Sequence, residues 1–255
     1  MKLKNLINKY KHPSMRLVKV KAKELMLSGE NHLTLIFALV VTAVSAIIPL
    51  CVFSLIYELC PYAWVDAAML LTEYLVLSPL LYGITSISSG MADGEDRRIV
   101  DLFEAFSSLK MYKRSLKFGL AVIVAAAALS LLAGLPLTVS GWLESAGLPK
   151  WVAVIVGIAG TLASAPTALW LFCRASLFPL LMVREYGVFW AIKRSFVLTK
   201  GKCAELFLFA LGFLPLVLVS VLAVFVPMLI YTAPYMLCVW SIGAKTIREN
   251  NERLI

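Results

Sequence analysis

The chain has 255 residues, 61% of them hydrophobic and 15% charged, with a formal net charge of +9 and a mean hydropathy of +0.87. Soluble domains carry about 25% charged residues and about 45–50% apolar ones, so an all-α, polytopic membrane protein is expected. No segment is both long and polar enough for a separate soluble domain, and the positive charge lacks the aromatic–basic platform or zinc spacing of a nucleic-acid-binding module.

The first 32 residues form a basic, polar segment: Lys2, Lys4, Lys9, Lys11, Arg16, Lys19, Lys21 and Lys23 face only Glu24 and Glu30. A cleaved signal peptide would place its apolar region here; none is present, so the first span is expected to stay in the mature protein. Residues 15–27 predict a basic helix with Val18, Ala22 and Leu25 on one side, stopped at Ser28-Gly29. The first span, Leu33 to Tyr57, is uncharged and longer than the about 20 residues a crossing needs. The loop Glu58 to Asp66 is acidic. The second span runs from Ala67 to Ser88, with Ser78-Pro79 near its middle and Gly83 offering a close-packing face. SGMADGEDRR reads as a turn-rich loop, and Arg98 to Tyr112 as an amphipathic helix, since Ile99, Leu102, Phe103 and Phe106 recur at helical spacing.

The third span is Ser115 to Thr138 and the fourth Trp151 to Cys173, with Trp142, Trp151 and Trp170 placed as interfacial anchors. Apolar character continues past Arg174 to Val183, so the fourth helix is long and tilted, or broken at Ala165-Pro166, or re-entrant. A short basic amphipathic helix, Val188 to Lys200, then leads through Gly201 into an uncharged run from Leu206 to Ala244. That run would measure about 58 Å as one helix at about 1.5 Å per residue, against about 30 Å of hydrocarbon. Two crossings, 206–224 and 226–244, fit better than one. The expected architecture is therefore six transmembrane helices as three hairpins (residues 33–246), with basic interfacial helices on the cytoplasmic side and a cytoplasmic tail from 247 to 255.

Under six spans, every lysine and arginine except Lys150 falls on one side, which the positive-inside rule makes cytoplasmic. Both termini then lie in the cytoplasm. SGENHLTLIFAL (Ser28 to Leu39) also resembles KGKCAELFLFAL (Lys200 to Leu211), with KRSLKFGL (Lys113 to Leu120) a weaker third copy. Each returning helix carries a proline (Pro79, Pro179, Pro234). Internal repeats are common in membrane folds, and low-diversity apolar sequence also matches by chance.

Candidate site residues are few. Arg174, at the end of the fourth span, is a snorkelling side chain or an anion ligand. Glu73 is a protonatable group facing a cavity, or a neutral carboxyl bonded to a neighbouring helix. Lys193, Arg194, Lys200 and Lys202 form a basic cluster suited to anionic lipid headgroups at about 1 kcal/mol per side chain, a role compatible with simple topology determination. Lys200-Gly201-Lys202 lacks the preceding glycines of a phosphate loop. His12 and His32 have no catalytic partners nearby. The cysteines Cys51, Cys60, Cys173, Cys203 and Cys238 have no CxxC or ligand spacing. No catalytic residue, metal or cofactor is expected.

RASLFPLLMVRE followed by AIKRSFVLTKGK (Ala191 to Lys202) resembles the bacterial integral-membrane domain-of-unknown-function family 975. More distantly, it is similar to the membrane domain of glycerophosphoryl diester phosphodiesterases. KVKAKELMLSG, DLFEAFSSLKMYKRSL and APY extend the likeness over nearly the whole chain; the segment between Pro179 and Ala191 is shorter than the family pattern. The resemblance implies six helices in the bacterial cytoplasmic membrane and no assigned activity; nothing matches the soluble phosphodiesterase domain. The functional expectation is a non-enzymatic module that binds anionic lipid or a membrane-protein partner. A small transporter or channel subunit is the alternative.

Overall fold

The computed structural model describes residues 15–27, 30–59, 63–147, 149–184, 187–222 and 226–252, and regular structure among these is wholly helical. The elements are α1 (Met15–Leu27), α2 (Glu30–Leu59), α3 (Ala63–Asp93), a 3-10 segment (Ile99–Phe106), α4 (Leu109–Ser145), α5 (Lys150–Ala175), α6 (Phe178–Val183), α7 (Val188–Leu198), α8 (Cys203–Leu211), α9 (Leu214–Leu222), a π turn (Met228–Thr232) and α10 (Ala233–Glu252). Among the described residues, four stretches are long and apolar enough to cross a membrane: Asn31–Glu58, Trp64–Asp93, Leu109–Ser145 and Lys150–Val183. Pro49, Pro79, Pro136 and Pro166 lie inside these helices without ending them. Of the three readings of the fourth span, continuity through Pro166 is observed, and the chain turns instead at Ser176-Leu177, just before Pro179 opens α6.

The run from 206 to 244 differs from the two uninterrupted crossings expected. Gly212-Phe213 interrupts it between α8 and α9, each nine residues long, and Pro227 precedes the π turn. Glycine and proline weaken the helical ladder, which accounts for the breaks. The two arms lie side by side. The Phe213 and Tyr235 rings meet edge-on at 5.8 Å, and the Ser220 and Thr232 hydroxyls are 2.7 Å apart.

Two further boundaries move. Helix α3 runs on to Asp93, so the expected loop shrinks to residues 94–98. It ends in a Schellman arrangement, Gly94 N–H donating to Met91 O and Glu95 N–H to Gly90 O, both at 3.0 Å, with Gly94 at φ +86°. The helix expected over Arg98 to Tyr112 is instead a 3-10 segment, broken at Ser107-Ser108 because Ser108 Oγ accepts from Met111 N–H at 3.2 Å and starts α4 there. The proposed repeat does not fold alike either: the first copy opens a 30-residue helix, the last a nine-residue one. The expected stop at Ser28-Gly29 lies outside the described residues.

Packing is concentrated at one end of the long helices. The second half of α3 is the hub: Leu80, Ile84, Ile87 and Met91 are buried against α1, α2 and α10, while Tyr82 faces Phe118 of α4 edge-on at 5.6 Å. Gly83 admits the Leu102 backbone so closely that a Cβ there would strike the Leu102 carbonyl. Away from this end the helices present bare hydrocarbon; Leu131 is 67% and Leu162 72% exposed.

Candidate functional site

Helix α3 ends in an acid. The last carbonyls of a helix carry partial negative charge and lack intrahelical donors, so Asp93 at this C-terminus is electrostatically unfavourable alone. Two cations from distant segments answer it. Arg184, just after α6, pairs with Asp93, and donates to Ser89 Oγ at 2.7 Å and Ser89 O at 3.1 Å. Lys245 of α10 stands 3.3 Å from Asp93 Oδ1 and donates to Ala92 O at 3.1 Å. With the Gly94 and Glu95 N–H groups already on Met91 O and Gly90 O, Lys245 satisfies the remaining Ala92 carbonyl. Ser241 Oγ donates to Ser88 Oγ at 3.1 Å, a hydroxyl contact between α10 and α3 one turn away.

The same device recurs at three more helix ends. Arg114 of α4 donates to Met182 O (2.9 Å) and Val183 O (3.2 Å), the last carbonyls of α6. Trp240 Nε1 donates to Ser176 O at the end of α5, 3.0 Å away. Arg174 Nη1 donates to Phe196 O in the last turn of α7 at 2.6 Å. Its guanidinium lies over the Trp170 ring at 5.3 Å, and its own carbonyl accepts from Ser195 Oγ at 2.5 Å. Hydrogen bonds to charged groups contribute about 1.5–3 kcal/mol each and the neutral one from Trp240 about 0.5–1.5 kcal/mol, so these side chains weld α3, α4, α5, α6, α7 and α10 into one body.

This places the sequence candidates. Arg174 is engaged at a helix terminus through Nη1. Glu73 is half-buried on α3 and forms no hydrogen bond or ion pair with the described residues; its neighbour Tyr74 donates to Leu116 O at 2.6 Å. Lys193 is exposed with its ammonium 5.5 Å from the Trp190 ring centroid. Arg194 and Lys202 are half-buried, and Lys200 is exposed beside Gly201, whose φ of +79° makes the turn after α7. The structure does not gather these four and Glu73 into one site.

Sequence reasoning missed Asp93, Arg184, Lys245 and Arg114. The available signal was that Asp93 falls where α3 would end amid basic flanks, a position that calls for a compensating cation. Against these engaged cations stands a second set. Lys110, Lys113, Lys117, Lys193 and Lys200 are all exposed, and none enters an ion pair among the described residues, although Glu95, Glu104, Glu144 and Glu249 do. Among the described residues no group of His, Cys, Asp and Glu could hold a metal ion. The cavity beside Arg184, Lys245 and Arg248 measures about 10 Å³, about the space of one water. Comparison with protein-family models, curated proteins and solved structures finds no match.

Proposed function

We propose that this chain is a non-enzymatic, multi-pass protein of the cytoplasmic membrane that binds anionic lipid headgroups at its inner face. The observation that carries it is the division of the cations: the arginines at helix ends are consumed by structure, while Lys110, Lys113, Lys117, Lys193 and Lys200 stand exposed without counter-ions among the described residues. Uncompensated lysines beside apolar helices attract anionic lipid. The one-sided distribution of charge supports both termini being cytoplasmic. The side-by-side arms of the broken 206–244 segment support a fifth and a sixth crossing. Transport draws less support, because the cavity beside Arg184, Lys245 and Arg248 has room for only about one water.

The test is to purify the protein in neutral detergent from a membrane of known lipid composition and measure the lipids retained. Anionic lipid enriched several-fold over the bulk, and released at about 1 M salt where screening acts within about 3 Å, is the expected result. Retained lipid that mirrors the bulk composition contradicts the proposal.

A further inference from the structure

A groove of about 440 Å³ lies between α4 and the α5–α7 segment, within the roughly 300–1,000 Å³ of small-molecule sites. Its floor is one face of α4, where Lys117, Ala121, Ala125 and Ala128 follow one another at three- and four-residue intervals. Leu171 of α5 and Ile192 and Phe196 of α7 form the facing wall. The alanines explain why the groove is unfilled: they end at Cβ where Leu or Phe would occupy the space. Lys117 stands at one end, and the lining is almost wholly hydrocarbon.

Shape and charge narrow the occupant. From Lys117 to Ala128 the floor extends about 16 Å at about 1.5 Å per residue. A helix about 10–12 Å across and of that length would need more space than the groove offers, whereas an extended hydrocarbon chain can lie along its apolar floor. The cation at one end selects a negative head, since Lys117 is exposed and has no ion-pair partner among the described residues.

We infer that the groove is a binding site for an anionic phospholipid, with one acyl chain along Ala121, Ala125 and Ala128 and the phosphate at Lys117. The inference rests on the anionic-lipid reading above and adds a discrete, chain-gripping site to a general surface preference.

The full chain in neutral detergent is titrated with phosphatidylglycerol and, separately, with phosphatidylcholine of the same chains, and bound lipids are counted by native mass spectrometry. Wild-type protein is expected to take up one phosphatidylglycerol ahead of all others. Lys117→Gln, at an exposed position, should weaken that first step about fivefold, the effect of one lysine near a charged surface. Ala125→Trp should fill the groove and remove the step, as should the smaller Ala121→Leu if the tryptophan variant does not fold. Equal uptake of both lipids by the wild type would overturn this inference and the proposed function together. A phosphatidylglycerol preference that survives both Lys117→Gln and the filled groove would overturn the groove alone. Sensitivity to Lys117→Gln with indifference to filling would do the same, leaving only a headgroup contact.

Discussion

The two ends of the long helices are held by different means. Around the second half of α3, α1, α2, α4, α6, α7 and α10 close on one another, apolar side chains are buried and helix ends are clamped by side chains from elsewhere in the chain. Along the remote halves of α2, α4 and α5, leucines and valines stand bare, and helix contacts use small residues, as where a Cβ on Gly157 would meet Ser140. Apolar side chains drive helices together only where water is the alternative; in lipid, hydrocarbon is already solvated, and close packing of small groups has to serve instead. The contrast is what one chain produces when it is bathed by two solvents.

Paired substitutions can break or sharpen that contrast. The largest difference is expected between Leu102→Ala and Leu131→Ala. Leu102 is fully buried and Leu131 is 67% exposed, so the first should cost about 2–5 kcal/mol and the second no more than about 0.5 kcal/mol, read from unfolding in detergent. Similar losses at the two positions would erase the distinction.

Next comes Asp93→Asn. It leaves Arg184 and Lys245 without their carboxylate in a partly buried setting, a loss of about 2–4 kcal/mol after allowance for residual exposure. Adding Lys245→Met should recover part of the loss, because the orphaned charge goes with it; no recovery would mean that the pair does not act as a unit.

Gly83→Ala should cost about 1–3 kcal/mol by forcing the Leu102 backbone away. At Gly134 a Cβ would meet nothing within 4 Å, so alanine there should be neutral or gain up to about 1 kcal/mol of helix propensity. Thermal melting of the two single variants separates these outcomes. The smallest stability effect, within about 0.5 kcal/mol, is expected from Lys113→Gln with Lys193→Gln. That double variant should nonetheless retain less anionic lipid on purification, and unchanged retention would remove those lysines from the account.

How much of this was legible in the sequence follows from the range of each interaction. Uncharged length announces α2, α4 and α5, and local periodicity announces α1 and α7, because hydropathy and i, i+4 spacing belong to a few neighbouring residues. Gly201 is likewise visible as a stop, since only its own φ is at issue. The clamps are not visible in this way. Arg184 reaches Ser89 across 95 residues and Lys245 reaches Ala92 across 153, and no local pattern says which carbonyl a cation will find. Arg174 illustrates the point: its position suggests a membrane-boundary side chain, but its partner, Phe196 O, is fixed by how α7 folds back. Pro166 was readable as a possible break and makes none, while Gly212-Phe213, in a run read as a plain span, interrupts the helix.

The claim that one half of the bundle is bathed in hydrocarbon and the other in water is tested most directly with spin labels. Single nitroxides at Leu131, Leu162 and Lys113 in the reconstituted protein would be probed with oxygen, which concentrates in lipid, and with a water-soluble nickel chelate. Fast relaxation by oxygen and protection from nickel at Leu131 and Leu162, with the reverse at Lys113, is the predicted outcome; nickel accessibility at Leu131 and Leu162 equal to that at Lys113 would contradict it.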